Sequence, residues 1–221
     1  MSPRQRLSPA GRRAQLLAVG ARLFAARPYD DVLMEEVAEE AGVSRALLYR
    51  HFSSKHALFA AVYQQAADRL LAETRLDPAD SLVEQLVQGI EVHLDYFVAN
   101  RHAVLAANRV LAGDPVIQTI MTNELDALRT RLLAVLPLAE EGGAREAVSG
   151  VLKSWLVFVQ VLCVDWLAHE TCTRTQLRDV CVGAVLGALR PLLAEDPGAR
   201  PSRKRILGGD VEDCESAPSQ G

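Results

Sequence analysis

The sequence predicts an all-α protein built around an N-terminal helix-turn-helix, and three observations lead there. Apolar residues recur three and four positions apart along most of the chain, the spacing of one helical face. The segment from Val37 to Lys55 keeps that spacing on both sides of Gly42, which suits a tight reversal because it has no Cβ to clash in the left-handed conformation. Asp77-Pro78 and Asp114-Pro115 each read as a helix start, with proline in the first turn where its missing N–H is harmless.

At 221 residues, 49% hydrophobic and 5% aromatic, the chain can fill a sizeable core, mostly with aliphatic side chains. Its formal charge of −4 is unevenly spread. Residues 1–60 hold nine Lys/Arg against six Asp/Glu, net +3, and the remainder hold fifteen against twenty-two, net −7. A modestly basic N-terminal module thus sits on an acidic body. No charged-then-apolar leader opens the chain, and its four cysteines lack the spacing of a disulfide scaffold, so a cytoplasmic protein is expected.

In order, residues 1–10 form an expected flexible arm, with Arg4 and Arg6 within reach of a phosphate backbone. Leu16, Val19, Gly20, Leu23 and Phe24 mark a first helix that Pro28 ends, and a second helix begins near Met34. Together with the segment to Lys55 they make a DNA-binding domain over 11–55. Residues 56–195 make a second, helical domain. Leu58, Phe59, Val62, Tyr63 and Leu70 mark its first helix, which links the two domains, and Leu82, Leu86, Ile90, Leu94 and Phe97 mark the next, expected from Ala79 to Asn100. A short helix to Gly113 and a long one from Asp114 to about Pro137 follow, then a polar loop over Glu140–Gly143.

Ala144 to His169 is the most hydrophobic stretch, with only Gln160 and Asp165 plainly polar between Trp155 and Leu167. A central acid argues for burial in protein and against a membrane span. The last helix, Thr175 to about Leu193, carries Gly183, Ala184, Gly187 and Ala188 as a small-residue face. These two helices are expected to pack as a four-helix bundle across a two-fold axis with a second copy, making a homodimer. Residues 196–221, rich in Pro, Gly, Ser and charge, read as a disordered tail.

Ser44 is a natural N-cap, and Leu48 and Phe52 beyond it share one face of the helix. Ala46, Tyr49 and Arg50 fall on the other face, with Arg45 at its edge. Arg45 in the first turn can pair bidentately with guanine in a major groove, and Ala46 lets the backbone approach. Tyr49, His51 and Lys55 carry donors for phosphate oxygens.

Gly42-Val43-Ser44, Leu48-Tyr49, His51-Phe52 and Lys55, with Leu58 and Phe59 beyond, resemble the signature of the TetR family of bacterial transcriptional regulators, over about Arg12 to Val62. The resemblance implies a three-helix domain that binds a palindromic double-stranded DNA operator as part of a homodimer. It also implies a helical C-terminal domain that binds a small-molecule effector, whose entry releases the operator. By position, Ser44, Arg45, Ala46, Tyr49, Arg50, His51 and Lys55 are the DNA-contacting set. The chain departs from the family pattern at Pro28, where Gly is common, and at Val32-Leu33, where a phosphate-binding Thr is common.

Polar groups on otherwise apolar stripes mark the expected effector site: His93, Tyr96, Asn108, Arg109, Gln118, Gln160 and Asp165, with Trp155, Phe158 and Trp166 as walls. The ligand is expected to be small and mainly apolar. On one continuous helix Asp165, His169 and Cys172 would share a face, which offers a metal- or thiol-responsive sensor as the alternative. No phosphate loop, nucleophile elbow or zinc-protease motif is present, so neither catalysis nor a cofactor is expected.

Overall fold

A computed structural model describes residues 8–74, 80–136, 138 and 142–194. Ser8 accepts the Gly11 N–H and Pro9 occupies the first turn, so α1 runs Pro9–Ala26 and begins inside the segment expected as an arm. A 3-10 turn over Tyr29–Asp31 leads to α2 (Met34–Glu40). Gly42 then sits at φ 61, and α3 (Arg45–His51) starts from Ser44, whose Oγ accepts the Leu47 N–H at 3.2 Å. A Cβ at residue 42 meets nothing within 4 Å, so the constraint there is conformational and not one of space. Gly42→Ala is therefore expected to destabilise the protein by about 1–2 kcal/mol, read from the denaturant midpoint.

The long α4 (Lys55–Glu73) is followed by α5 (Leu82–Ala99), where Ser81 and Glu84 exchange side-chain and backbone bonds at 3.3 and 2.8 Å. Next come α6 (Arg101–Leu105), which passes directly into a π-helical turn over Ala106–Val110, and α7 (Pro115–Val135), capped by Asp114. The antiparallel pair α8 (Gly143–His169) and α9 (Arg174–Ala194) completes the chain. No strand occurs among the described residues. The expected arm up to Leu7, the Asp77-Pro78 helix start, residues 140–141 of the expected loop and the 196–221 tail lie outside them.

Buried side chains gather into two cores. The first joins α1–α3 to the first three turns of α4, and also takes Ala103, Ala106, Ala107, Ile117 and Ile120 from the body. The rings of Phe24 and Phe59 meet edge-to-face at 5.0 Å in its centre. The second core lies among α5, α7, α8 and α9. The DNA-binding unit is thus packed against α6 and the start of α7 as well as against the linking helix. At the other end of α4, Arg131 of α7 donates to the carbonyls of Leu71 and Thr74 and so holds its last turn.

Candidate nucleic-acid interface and ligand cavity

Leu48 and Phe52 anchor α3 in the first core, which turns Arg45, Ala46, Tyr49 and Arg50 outward to solvent. Ser44 is exposed and His51 half-buried. Arg45 pairs with Glu35 of α2, a contact that poises the guanidinium over the exposed face. Lys55 is placed differently from its six companions. Its Nζ donates to the carbonyls of Tyr29 and Asp30 at 3.0 and 3.2 Å and lies 4.5 Å from the Tyr29 ring centre, so this lysine fastens the turn before α2.

In the body, a cavity of about 60 Å³ lies between α4, α5, α7 and α8. Leu70, Leu86, Ile90, Leu125, Leu128, Leu132, Trp155, Leu156 and Val159 supply most of its wall. The polar lining is Thr74, Gln85, His93 and Gln160, with Gly89 between Gln85 and His93. Burial pushes His93 down to about 4, so its imidazole is neutral at pH 7. Its Nε2 and the Gln85 Oε1 are buried without a partner among the described residues. A second, larger cleft of about 390 Å³ runs between α1, α4, α5 and α6, past Tyr63, Arg69, Glu73, Asp95 and Tyr96.

The family model for bacterial regulatory proteins of the tetR family matches residues 16–62, the segment that builds the capped turn and the outward face of α3. Residues 16–62 thus carry the TetR-family N-terminal domain. A TetR-family regulator of Streptomyces coelicolor shares its fold, with a TM-score of 0.78 at 24% identity over 94% of this chain and 93% of that one. Among curated relatives, the transcriptional activator FasR of Mycolicibacterium smegmatis is 44% identical over 87 residues, 38% of this chain and 40% of FasR. The regulator RutR of Escherichia coli is 32% identical over 118 residues, 51% of this chain and 54% of RutR. The chain thus spans about two fifths to a half of the length of these relatives.

Of the side chains expected around the ligand, His93, Trp155 and Gln160 line the cavity. The Trp155 Nε1 donates to the Cys181 carbonyl at 2.7 Å, which leaves its ring as a wall. Tyr96 faces the larger cleft instead. Asn108 donates to the Val104 carbonyl and accepts from Gln160, tying the π-helical turn to α8. Arg109 and Asp165 stand 4.0 Å apart on the surface, and Gln118 donates to the Ala112 carbonyl. Trp166 donates to the Cys172 carbonyl and packs at the edge of the second core. Phe158 points away from the cavity, 41% exposed on the outer face of α8. Gln85, Thr74 and Gly89 carry no sequence signal that separates them from ordinary helix positions.

The metal alternative is corrected by the end of α8. His169 is the last helical residue and Glu170 turns left-handed at φ 51, so Cys172 leaves the face that Asp165 and His169 share. His169 Nδ1 contacts Asp165 Oδ1 at 3.1 Å, and no set of three metal-ligating side chains gathers among the described residues.

One outward surface remains. On α8, Val157, Phe158 and Val161 are 47%, 41% and 64% exposed, and Val180 of α9 is 53% exposed. Gly183, Ala184, Gly187 and Ala188 continue that surface along α9. The helix expected to be buried in protein is therefore buried on one side only within a single chain. It is also long and apolar enough to cross a membrane, though its centre packs in the second core.

Proposed function

We propose that this protein is a ligand-responsive transcriptional repressor, which binds a palindromic operator as a cytoplasmic homodimer and releases it when a small, mainly apolar effector fills the cavity. The observation that carries the DNA reading is the exposed face of α3 within the family match, where Ser44, Arg45, Ala46, Tyr49, Arg50 and His51 present donors beside a small residue. The apolar surface of α8 and α9 supports the homodimer, since several large apolar side chains exposed side by side mark an interface. The cavity supports the effector, because Leu70 and Thr74 of its wall stand on the helix that carries the DNA-binding unit. Domain limits of 11–55 and 56–195 remain part of this reading, with α4 shared between them.

A second reading, an activator, draws on the name of the relative that is 44% identical. A relative of similar standing, KstR2 of Mycolicibacterium smegmatis, is named a repressor, at 32% identity over 105 residues. A promoter carrying the selected site distinguishes the two: expression falls with a repressor and rises with an activator.

The test is selection of sites from random DNA with purified protein, then titration of the winning duplex at two salt concentrations. A palindrome with salt-sensitive affinity supports the reading; no enriched sequence counts against it. Arg45→Ala is expected to cost about 1–3 kcal/mol on the preferred site and to blur one base position. Tyr49→Phe is expected to weaken all sequences alike. Unchanged binding curves for both variants would remove the assigned roles.

A further inference from the structure

Gln85 and His93 stand eight residues apart on α5, a rise of roughly 12 Å, and both line the same cavity. Between them the lining on α5 is Leu86, Gly89 and Ile90, so the cavity follows two turns of the helix with an unpartnered polar group toward each end, while Thr74 and Gln160, also in the lining, donate to the Leu70 carbonyl and to Asn108. Gly89 keeps its middle open. A Cβ there meets only Thr74 Cγ2, at 3.9 Å, so the helix would accept a larger residue whose remaining atoms then enter the lumen.

The two ends ask for particular chemistry. The Gln85 Nε2 donates to the Asp80 carbonyl at 3.0 Å, which fixes the amide orientation and leaves Oε1 as the free atom. That oxygen only accepts, so its partner must bring an N–H or O–H. The Gln85 side chain is 4% exposed, and no water-facing alternative is at hand. The His93 Nε2 donates or accepts according to tautomer, and a hydroxyl satisfies either. Among the described residues no Arg, Lys, Asp or Glu lines the lumen, so a charged end would lose its hydration without gaining an opposite charge from them.

We propose that the lumen takes an uncharged, rod-shaped ligand with a linear hydrocarbon middle and a hydrogen-bonding group at each end, the one at Gln85 being a donor. This rests on reading the cavity as the effector site and adds the ligand's shape and polarity. Gln85 and His93 set the length between polar ends, and Gly89 makes room for the chain. The Leu125, Leu128 and Leu132 side chains of α7 can change rotamer to admit it.

The test uses the full chain without DNA, with 1,8-octanediol as probe against 1-octanol and octanedioate, read by the shift in Tm and by quenching of tryptophan fluorescence. The diol is expected to bind saturably, 1-octanol at least fivefold more weakly, and the dianion not at all. Gln85→Leu should bring the diol to the level of 1-octanol, and Gly89→Leu, which favours the helix, should remove binding of both while the protein stays folded. Equal affinity for diol and mono-alcohol, preference for the dianion, diol binding that survives Gly89→Leu, or no diol binding would each overturn the proposal. Operator titration in parallel separates it from the regulatory reading. Diol bound with operator affinity unchanged sinks the effector role and keeps the ligand chemistry; operator selected without diol binding does the reverse.

Discussion

Val161→Glu is expected to convert the protein to a monomer and to lower operator affinity by on the order of a hundredfold or more. Val161 is 64% exposed at the centre of the apolar surface formed by α8 and α9, and across a two-fold axis each substitution enters the interface twice. An unpaired carboxylate there loses hydration without a partner, a cost of several kcal/mol per interface. Sedimentation should give the 24.1 kDa of one chain, and the palindrome should then be held by single half-sites. Gly187→Leu guards against misfolding as the cause, because a Cβ at that position meets nothing within 4 Å in the single chain and leucine favours a helix more than glycine. It should leave the monomer intact and still prevent pairing. A dimer that survives both substitutions places the two-fold axis elsewhere.

Glu124→Gln is expected to stabilise the protein at pH 8 and to leave it unchanged at pH 4. Burial, with Asp68 of α4 adding repulsion, raises the Glu124 carboxyl from 4.5 to about 7. Burial likewise raises the Tyr63 and Tyr96 phenols, with the Glu124 charge adding to both shifts and Arg69 opposing that of Tyr96. A folded value above the unfolded one means that the folded state binds the proton more tightly. The contribution is fully favourable below 4.5 and is lost as pH rises toward 7. By pH 8 the ionised group costs up to about 3 kcal/mol, which glutamine removes. For a chain of this length that is roughly 2–4 °C of Tm per kcal/mol. A Tm–pH profile with the same slope in both proteins between pH 4.5 and 7 would refute it.

The helix-turn-helix was legible because its determinants are local. Gly42 requires a particular φ, Ser44 bonds three residues ahead, and Leu48 and Phe52 face inward by helical spacing alone. Lys55 shows where local reading ends, since the carbonyls that hold it come from a turn 25 and 26 residues earlier. The cavity was less legible for the same reason. Polar residues on apolar stripes singled out His93 and Gln160, but also Asn108, which is bonded to the Val104 carbonyl and to Gln160, and Trp166, which is bonded to the Cys172 carbonyl. Gln85 resembles any glutamine one turn into a helix until the burial around it is known. Phe158 and Trp155 lie three apart on α8, yet one faces outward and the other lines the cavity, a choice made by α5 and α9 and not by the spacing.

On the proposed effector reading, the two ends of α4 have a thermodynamic consequence beyond release of the operator. Its first turns are locked into the DNA-binding unit, while Leu70 and Thr74 near its other end wall the lumen. A position of this helix that suits one occupant and not the other couples both equilibria through a single free energy, and such coupling is reciprocal. Whatever factor the ligand takes from operator affinity, bound operator takes from ligand affinity. Half-saturation by ligand therefore shifts to higher concentration when operator is in excess. A substitution that fills the lumen, such as Gly89→Leu, changes how tightly the ligand-free protein holds DNA only to the extent that it favours one position of α4 over the other.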